Sequence, residues 1–463
     1  MEISITRTDR YDLVVCGGGP AGFACAVSAA RKGLKVALVE RSGCLGGTAT
    51  GVGINQLLGG RKLNEASKQH VRVVGGLFDE LTDRLIAQGD AVEPNTIPLD
   101  FNPHGWYPRM ASGIVFDENA MKIALDDLCE AAGVRVYYNT VLTGAEKEGA
   151  RIAAAIVWNK DGFIRLRADS FADCTGDADL ACFSGCACDK GRDGDNLMTP
   201  CSVEMHLEHV DAHALVSYQN EHSSPKLVEI IRELKEKGVW TFPHEMFVTV
   251  RLVPTDVFLV NVVCLYGVDG TSEASVSRAL ADGRRECLKL FHVARAHFPG
   301  FENARIRKIG DVLGVRETRR IHGRYTVTVE DALSGRRYDD CIAATTYNFD
   351  LLDPVKHNYD PMMGDTRNPN ANRKHVVIRI PYRSLLPIST ENLIVAGRCV
   401  STDREVLGPV RIMGPCMMMG QAAGTAAALS RKHNGNFGLV DASTLRETLW
   451  ADGVIDPDSL PFD

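Results

Sequence analysis

The residues from Asp12 to Glu40 constrain the fold of this chain more than any other stretch. An apolar run, Leu-Val-Val-Cys, leads into Gly17-Gly18-Gly19-Pro20-Ala21-Gly22, and a small-residue segment then runs to Lys-Val-Ala-Leu-Val-Glu40. This order predicts a strand, a glycine turn, a helix from Pro20 to Arg31 and a second strand that ends on an acid. Such a unit is typical of proteins that bind the ADP half of a dinucleotide.

Each glycine of the turn has a physical role in that unit. Gly17 permits the tight turn, Gly19 lets the backbone approach a pyrophosphate, and Gly22 lets the helix pack closely on the sheet. The helix then presents N–H groups and the positive end of its dipole to the phosphates. Glu40 stands eighteen residues after Gly22, near the spacing of the carboxylate that binds ribose hydroxyls. An acid there disfavours NADP, because it repels the 2′-phosphate.

Length and charge exclude several classes of protein. With 463 residues, of which 45% are hydrophobic, the chain fits two large interleaved domains. The net charge of -7 is mild and the basic residues are scattered, so we expect neither a nucleic-acid partner nor a membrane surface. No apolar run reaches transmembrane length, and the N-terminus does not resemble a secretory signal. We therefore expect a cytoplasmic protein; whether it forms a homo-oligomer stays open.

Fourteen cysteines raise the question of a metal or a disulfide framework. Most of them lie in apolar segments, where a cysteine is ordinarily a small buried side chain kept reduced in the cytoplasm. Cys182, Cys186, Cys188 and Cys201 are crowded enough to raise a zinc or iron–sulfur site. They contain no Cys-x-x-Cys pair and match no common cluster spacing, so we expect no metal.

The first part of the chain continues the nucleotide-binding pattern. Apolar spacing predicts helices over residues 62–88 and 118–132, and Val134 then starts a strand that resumes the sheet. Two further strands, at 151–158 and 163–171, are joined by Asn-Lys-Asp-Gly, a hairpin turn signal. This part therefore predicts a parallel sheet with an attached hairpin.

The middle of the chain has a different character. Strands at 247–254 and 257–265 precede a long helix from Ser272 to His297, and further strands follow near Ile306, Tyr325 and Cys341. This mixture predicts an α+β insertion rather than a second set of parallel βαβ units. A buried strand ending at Gly397 and a small-residue helix beginning near Arg411 then return to the first domain. We predict a discontinuous nucleotide-binding domain over residues 1–195 and 374–463, and an inserted domain over residues 196–373.

Four further motifs, in the expected order along the chain, narrow the family. They are Leu45-Gly-Gly-Thr48, Asp173-Cys-Thr-Gly-Asp177, Ala396-Gly-Arg398 and Arg411-Ile-Met-Gly414. With these motifs the sequence resembles FAD proteins of the glutathione-reductase type and, more closely, the FAD-dependent oxidoreductases distantly related to fumarate reductase flavoproteins. The resemblance implies an α/β fold: a Rossmann-like FAD-binding domain with an inserted α+β substrate or cap domain.

The resemblance also implies which residues would hold FAD. The glycine turn would bind the pyrophosphate, Glu40 the ribose and the Met413 helix start the flavin, whose reduced form carries negative charge that a helix N-terminus stabilises. Some fumarate reductase relatives attach FAD through a histidine soon after the glycine pair, and here Thr48-Ala-Thr-Gly stands there, so FAD is expected to be noncovalent. The implied FAD residues are Gly17, Gly19, Pro20, Ala21, Gly22, Glu40, Arg41, Gly46, Gly47, Thr48, Val141, Thr175, Gly176, Asp177, Gly397, Arg398, Arg411, Met413 and Gly414.

The source of the electrons is less defined. No second glycine fingerprint follows a later strand, so a dedicated NAD(P)H domain is not expected. Cys44 has no partner cysteine shortly after it, so a redox disulfide beside the flavin is not expected either. The electron donor or acceptor stays unknown.

Four residues are candidates for catalysis, each with a structural alternative. Arg316 and Arg320, in a dense charged group with Glu317, could clamp a carboxylate or relay a proton, or could belong to an ion-pair network. Tyr382 could present its hydroxyl to the flavin or begin a buried strand, and Arg404 could lie beside the flavin or in a surface turn. The isolated groups His104, Tyr107, His244 and His357 are expected to be structural or exposed.

These observations favour an enzyme that moves hydride between flavin and a carbon centre of a small polar metabolite, by dehydrogenation or double-bond reduction. Two alternatives stay open. FAD could serve a non-redox hydratase or isomerase, or the chain could be the flavin subunit of an electron-transfer complex. The sequence names no substrate.

Overall fold

The structure is a computed structural model that describes residues 4–97, 112–224, 226–253, 256–355 and 377–462. Three of the isolated groups singled out above, His104, Tyr107 and His357, lie outside these residues.

The described strands are short, apart from β1, β9, β10 and β11. They are β1 (Ile5–Cys16), β2 (Val36–Val39), β3 (Gln56–Leu57), β4 (Arg61–Asn64), β5 (Gln69–Arg72), β6 (Ala91–Val92), β7 (Ile114–Phe116), β8 (Arg135–Tyr137), β9 (Val141–Glu148), β10 (Arg151–Asn159), β11 (Gly162–Asp173), β12 (Cys188–Lys190), β13 (Cys201–Ser202), β14 (Met205–Glu208), β15 (Thr249–Arg251), β16 (Phe258–Val260), β17 (Cys264–Leu265), β18 (Arg305–Ile309), β19 (Arg319–Ile321), β20 (Cys341–Thr345), β21 (Ile378–Pro381) and β22 (Leu393–Val395).

The described α-helices are α1 (Pro20–Arg31), α2 (Gly76–Gln88), α3 (Glu118–Ala131), α4 (Asp179–Phe183), α5 (Ala212–Glu221), α6 (Val228–Glu236), α7 (Glu273–His297), α8 (Val329–Ser334), α9 (Arg404–Val410), α10 (Met413–Ser430) and α11 (Ala442–Ala451). Within the described ranges, no helix combines the length and the apolar character needed to cross a bilayer.

Five parallel strands form the centre of the main sheet, in the order β8-β2-β1-β11-β22. α1 connects β1 to β2 over the residues that the sequence predicts, so the opening strand–turn–helix–strand unit is confirmed. The first half of β11 also pairs with β10, which pairs with β9, both antiparallel. Because parallel strands end at the same edge of a sheet, the segments after β1, β2, β11 and β22 meet there.

The two faces of this sheet bury different layers. Leu13 and Val15 of β1 face a core that contains α1 and α10, whereas Val14 and Cys16 face a smaller core that contains α4. The alternation follows from the two-residue period of a strand. The sheet is therefore covered on both sides, as a parallel sheet requires.

A second core lies in the middle of the chain. It packs a four-stranded sheet, in the order β15-β16-β14-β18, against α7 and draws its buried residues from positions 201 to 313. The long helix predicted at Ser272–His297 is confirmed as α7. Val327 and Phe349, which the predicted inserted domain also includes, pack instead with the first core. The division into two domains stays a prediction.

The sequence-based prediction of a helix over residues 62–88 is wrong in its first half. β4 and β5 form an antiparallel hairpin there, and α2 begins only at Gly76. The side-chain amide of Asn64 accepts hydrogen bonds from the N–H groups of Ala66 and Ser67, and this local turn competes with helix formation. Gly75 and Gly76, both with positive φ, then separate the hairpin from the helix.

Candidate functional site

The glycine turn lies in a tight gap between strand ends. A Cβ on Gly17 would lie 2.4 Å from the carbonyl oxygen of Cys174, and one on Gly22 would lie 1.7 Å from the carbonyl oxygen of Gly17. A Cβ on Gly19 would meet no atom within 4 Å. Gly17 and Gly22 are thus required for packing, whereas Gly19 borders open space at the start of α1, where no side chain caps the helix. Open space before uncapped N–H groups fits a pyrophosphate.

Glu40, at the end of β2, lies beside that turn. Its buried carboxylate accepts hydrogen bonds from the N–H of Gly18 at 2.7 Å and from the N–H and hydroxyl of Ser42 at 2.8 and 2.7 Å. The carboxylate therefore stabilises the turn through hydrogen bonds, a role that the sequence spacing alone did not indicate. Val141 and Arg41 lie at the same edge, exposed, and the N–H of Thr140 donates to the carbonyl of Glu40.

The Gly46-Gly47 loop lies directly on the glycine turn. The N–H of Gly46 donates to the carbonyl of Gly18 at 2.9 Å, and a Cβ on Gly47 would lie 3.1 Å from the Cα of Gly19. Thr48 follows in a 3-10 turn and is exposed. The structure thus brings together the two glycine segments that the resemblance assigns to one cofactor.

The segment after β11 is held by an arginine from the end of the chain. Asp177 accepts a hydrogen bond from Arg398 at 2.7 Å and one from the Thr318 hydroxyl at 2.8 Å. Upstream, Asp173 is fully buried and accepts from the N–H and hydroxyl of Thr175, so it fixes the turn. Burial raises the pKa of Asp173 to about 6. Gly176 and Gly397 both lie close to these groups, since a Cβ on Gly176 would lie 3.0 Å from Arg398.

The start of α10 is crowded and electropositive. A Cβ on Gly414 would lie 2.7 Å from the backbone of Gly59, and no side chain caps the helix at Met413. Arg411 binds the carbonyl of Asp350 at 2.9 Å, but its buried Nε has no hydrogen-bond partner among the described residues. Burial lowers the pKa of Arg411, and the charges of Arg316 and Arg398 lower it further.

These observations test whether FAD fits this site. An unpartnered buried guanidinium nitrogen, neighbouring arginines and two uncapped helix starts all favour a bound anion with several acceptor oxygens. A dinucleotide supplies such oxygens on its phosphates, and a flavin supplies them at its pyrimidine edge. The residues present therefore fit FAD.

The predicted catalytic arginines are largely engaged within the protein. Glu317, with no exposed side-chain surface, accepts two hydrogen bonds from Arg404 at 2.8 Å and one from Arg320 at 3.3 Å. Arg316 donates to the carbonyl of Pro200 at 2.8 Å. These contacts favour the ion-pair network over the carboxylate clamp. The charged group lies in a segment without regular secondary structure and in β19, and Arg404 begins α9 rather than lying in a surface turn.

Tyr382 is buried in a 3-10 turn, and its hydroxyl donates to the carbonyl of Phe437 at 2.9 Å. The structure therefore places it in the first core with its hydroxyl already bonded, although it follows β21 rather than beginning a strand. Burial raises its pKa well above the ordinary tyrosine value, so it does not release a proton near neutral pH.

A cavity of about 330 Å³ lies between the start of α3 and the sheet of the second core. Its lining includes Lys308 of β18, His206 of β14 and Glu118 at the start of α3. Lys308 donates to the carbonyl of Thr50 at 3.0 Å and also binds Glu118, and His206 shares a 2.8 Å hydrogen bond with the carbonyl of Gly53. Because a carbonyl only accepts, Nε2 of His206 carries the hydrogen.

Sequence reasoning missed these residues and one more, Glu204. Glu204 is 1% exposed, accepts a hydrogen bond from the Ser202 hydroxyl at 2.6 Å, and has a second carboxylate oxygen without a partner among the described residues. Burial raises its pKa to about 7. Its signal in the sequence was a lone acid in the apolar run Cys-Ser-Val-Glu-Met. Buried titratable groups of this kind concentrate at functional sites.

Comparison with known proteins gives a match over nearly the whole chain. The model of a family described as FAD dependent oxidoreductase matches residues 12–449. Dihydrolipoamide dehydrogenase of Chaetomium thermophilum is 50% identical over 131 residues, which are 26% of this chain and 26% of that protein. The mitochondrial dihydrolipoyl dehydrogenase of Schizosaccharomyces pombe is 34% identical over 99 residues, 20% of this chain and 19% of that protein. The matches thus span about a quarter or less of these relatives.

Among solved structures, a geranylgeranyl bacteriochlorophyll reductase-like protein from Thermoplasma acidophilum aligns with 96% of this chain and 84% of its own, at 12% identity and a TM-score of 0.47. A likeness of this degree does not identify a reaction.

Proposed function

The chain belongs to the FAD-dependent oxidoreductase family, and on that premise we propose that it transfers hydride between noncovalently bound FAD and a carbon centre of a small polar metabolite held in the Lys308 cavity. Bound flavin supplies the hydride chemistry. The protein's own residues bind and orient the metabolite, exclude water and hold the proton that accompanies the hydride.

The first part of the proposal, FAD binding, rests on the edge of the main sheet. Gly19 leaves room for the pyrophosphate, and Asp177 with Arg398 closes the other side. Arg411, at the start of α10, offers an unused buried N–H to an anion. Positive charge at that helix start stabilises the reduced flavin, because reduction adds negative charge to the ring.

The second part of the proposal, substrate binding, rests on one observation, the polar lining of the Lys308 cavity. Three cations and three carboxylates line it: Lys122, Arg307, Lys308, Asp117, Glu118 and Asp311. Several of these groups already bond to one another, as Lys122 and Lys308 do to Glu118, but an apolar substrate would still displace the water around them, which is costly. A metabolite with carboxylate and hydroxyl or carbonyl groups would replace the lost water.

The third part of the proposal, the source of the proton that accompanies the hydride, rests on Glu204. Glu204 immediately precedes β14 and stands two residues before His206, which lines the cavity. With a pKa of about 7, Glu204 holds its proton about half the time at neutral pH. Burial lowers the pKa of His206, which therefore stays neutral and acts as a hydrogen-bonding group.

The test is anaerobic mixing of the FAD-loaded protein with a panel of small carboxylate and hydroxy metabolites, NADH and NADPH, with flavin absorbance as the readout. We expect a polar metabolite to bleach the oxidised flavin. If the reaction runs in the other direction, we expect it to restore the colour of flavin that has first been chemically reduced. Arg307→Gln should raise the half-saturating concentration about tenfold, because it removes a cation from the lining. Arg305→Gln, on the same exposed strand but outside the lining, is the matched control.

Two results would contradict the proposal. If a metabolite is converted while flavin absorbance stays constant through turnover, the reaction is non-redox. If Arg307→Gln and Arg305→Gln saturate like the unmodified protein, the substrate binds elsewhere.

A further inference from the structure

Two of the crowded cysteines face one another. Sγ of Cys182, in α4, lies 3.5 Å from Sγ of Cys188, the first residue of β12. Five residues separate them in the chain, so the contact closes a small loop. Both side chains are half-buried, which leaves them within reach of a small reagent.

The backbone on both sides of this loop holds the two thiols in place. At the end of α4, the N–H groups of Gly185 and Cys186 donate to the carbonyls of Cys182 and Ala181. On the other side, β12 pairs with β19, Cys188 opposite Ile321, and the N–H of His322 donates to the carbonyl of Ala187. The backbone positions that bring the two side chains together are therefore fixed by the fold.

The two thiols also differ in acidity. The hydrogen bond from Cys188, helped by the charge of Arg319, lowers the pKa of Cys182 to about 7, although burial opposes the shift. The same hydrogen bond, together with burial, raises the pKa of Cys188. Cys182 is thus the more acidic of the two thiols. By contrast, burial raises the pKa values of Cys129, Cys287 and Cys416 to about 12.

We propose that Cys182 and Cys188 form a thiol–disulfide exchange site that takes low-molecular-weight disulfides. The Cys182 thiolate attacks one sulfur of the small disulfide, forms a mixed disulfide and releases the first thiolate. The Cys188 thiol then loses its proton to solvent and attacks Sγ of Cys182, which forms the Cys182–Cys188 bond and releases the second thiolate. The protein loses two electrons and the proton of Cys188, and the small disulfide becomes two thiolates, which take up protons from solvent according to their pKa values.

The neighbours of the pair connect it to the cofactor edge of the sheet. Arg319, whose charge favours the Cys182 thiolate, donates to the carbonyl of Asp177 at 2.9 Å and to the Asp179 carboxylate at 3.0 Å. Formation of the disulfide removes the thiolate that faces Arg319 and ties α4 to β12. The exchange does not require the proposed hydride reaction, so its test needs no turnover.

The experiment treats the reduced full-length protein with glutathione disulfide at neutral pH, quenches with acid, alkylates the remaining thiols and maps the cysteines by fragmentation mass spectrometry. We expect a Cys182–Cys188 disulfide that dithiothreitol reverses. Cys188→Ser should stop at a glutathione adduct on Cys182, and Cys182→Ser should form neither product at this site. Cys186→Ser is the matched control, because Cys186 lies between the pair and its Sγ faces the Thr390 hydroxyl at 3.2 Å; it should form the disulfide normally.

A stable glutathione adduct on the unmodified protein, with no internal disulfide, would overturn the proposal. So would a disulfide that involves Cys186, or a Cys188→Ser protein that still resolves its adduct. If a serine variant does not fold, the fragmentation map of the unmodified protein decides alone. In addition, iodoacetamide labelling of Cys182 should rise with a midpoint near pH 7, and a midpoint above pH 8.5 contradicts an activated thiolate.

Discussion

At the scale of single residues, predictability depends on how local the interaction is. Gly17 and Gly22 could be assigned from sequence, because the absence of a Cβ acts on the adjoining backbone within a known motif. The partners of Arg320 and Tyr382 could not. The hydroxyl of Tyr382 meets the carbonyl of Phe437, a group that nothing in the local sequence indicates. A side chain that could face a ligand or a distant carbonyl has the same sequence signature in either case.

Glu204 carries a prediction for stability against pH. Its pKa is raised from 4.5 to about 7 in the folded protein, so between these values the folded state keeps a proton that the unfolded chain has released. Stability therefore falls as the pH rises through this window, and above it the buried carboxylate costs about 3 kcal/mol. Glu204→Gln should remove this loss.

The measurement is the free energy of unfolding by denaturant at pH 5 and pH 8. Between them, the unmodified protein should lose about 3 kcal/mol more than Glu204→Gln. Equal losses in the two proteins would show that Glu204 is already ionised in the fold.

At the scale of elements, the packing of α10 on α1 joins two segments that are far apart in the sequence. A Cβ on Gly420 would lie 2.0 Å from the carbonyl oxygen of Ala21, and one on Gly424 would lie 2.2 Å from that of Cys25. Ser28 and Thr425 also share a 3.0 Å hydrogen bond across the contact. The sequence predicted a small-residue helix, but not its partner, because small residues permit close approach to any backbone.

Gly420→Ala should therefore destabilise the protein by about 2 kcal/mol, as overpacking does. The sign of the change in unfolding free energy tests the close contact, because a glycine-to-alanine substitution inside an unobstructed helix stabilises a protein by about 1 kcal/mol. Denaturant unfolding of the variant measures the change. Gly144→Ala in β9, where a Cβ would meet nothing within 4 Å, is the matched control and should leave stability nearly unchanged. Stabilisation by Gly420→Ala would mean that the helices lie further apart.

At the scale of the whole molecule, the residues predicted to hold the cofactor come from segments far apart in sequence that parallel topology brings to one edge. That edge was predictable, because each segment carries its own glycine motif. The Lys308 cavity was not, since its lining comes from α3, β14 and β18 and no motif marks these elements as neighbours. A glycine motif reflects what the local backbone requires, whereas a cavity depends on how side chains from distant segments pack together.

Added FAD should stabilise the folded protein by about 2.7 kcal/mol at a hundredfold excess over Kd, measured as a shift in the thermal midpoint. Acid precipitation should leave the yellow colour in the supernatant, and colour in the pellet would contradict noncovalent binding. Gly19→Val is the matched control. Its Cβ would meet no atom within 4 Å and its side chain would occupy the open space at the turn, so the variant should fold nearly as well but show no stabilisation by FAD.

The contact of Gly420 and Gly424 with α1 has a further consequence during synthesis. The ribosome makes α1 long before α10, so a growing chain exposes one face of α1 until α10 has been synthesised. A message truncated before α10 would yield a polypeptide that has the glycines of the first turn but no cover for the helix behind them. Quality control in the cell would meet that product as an exposed apolar surface.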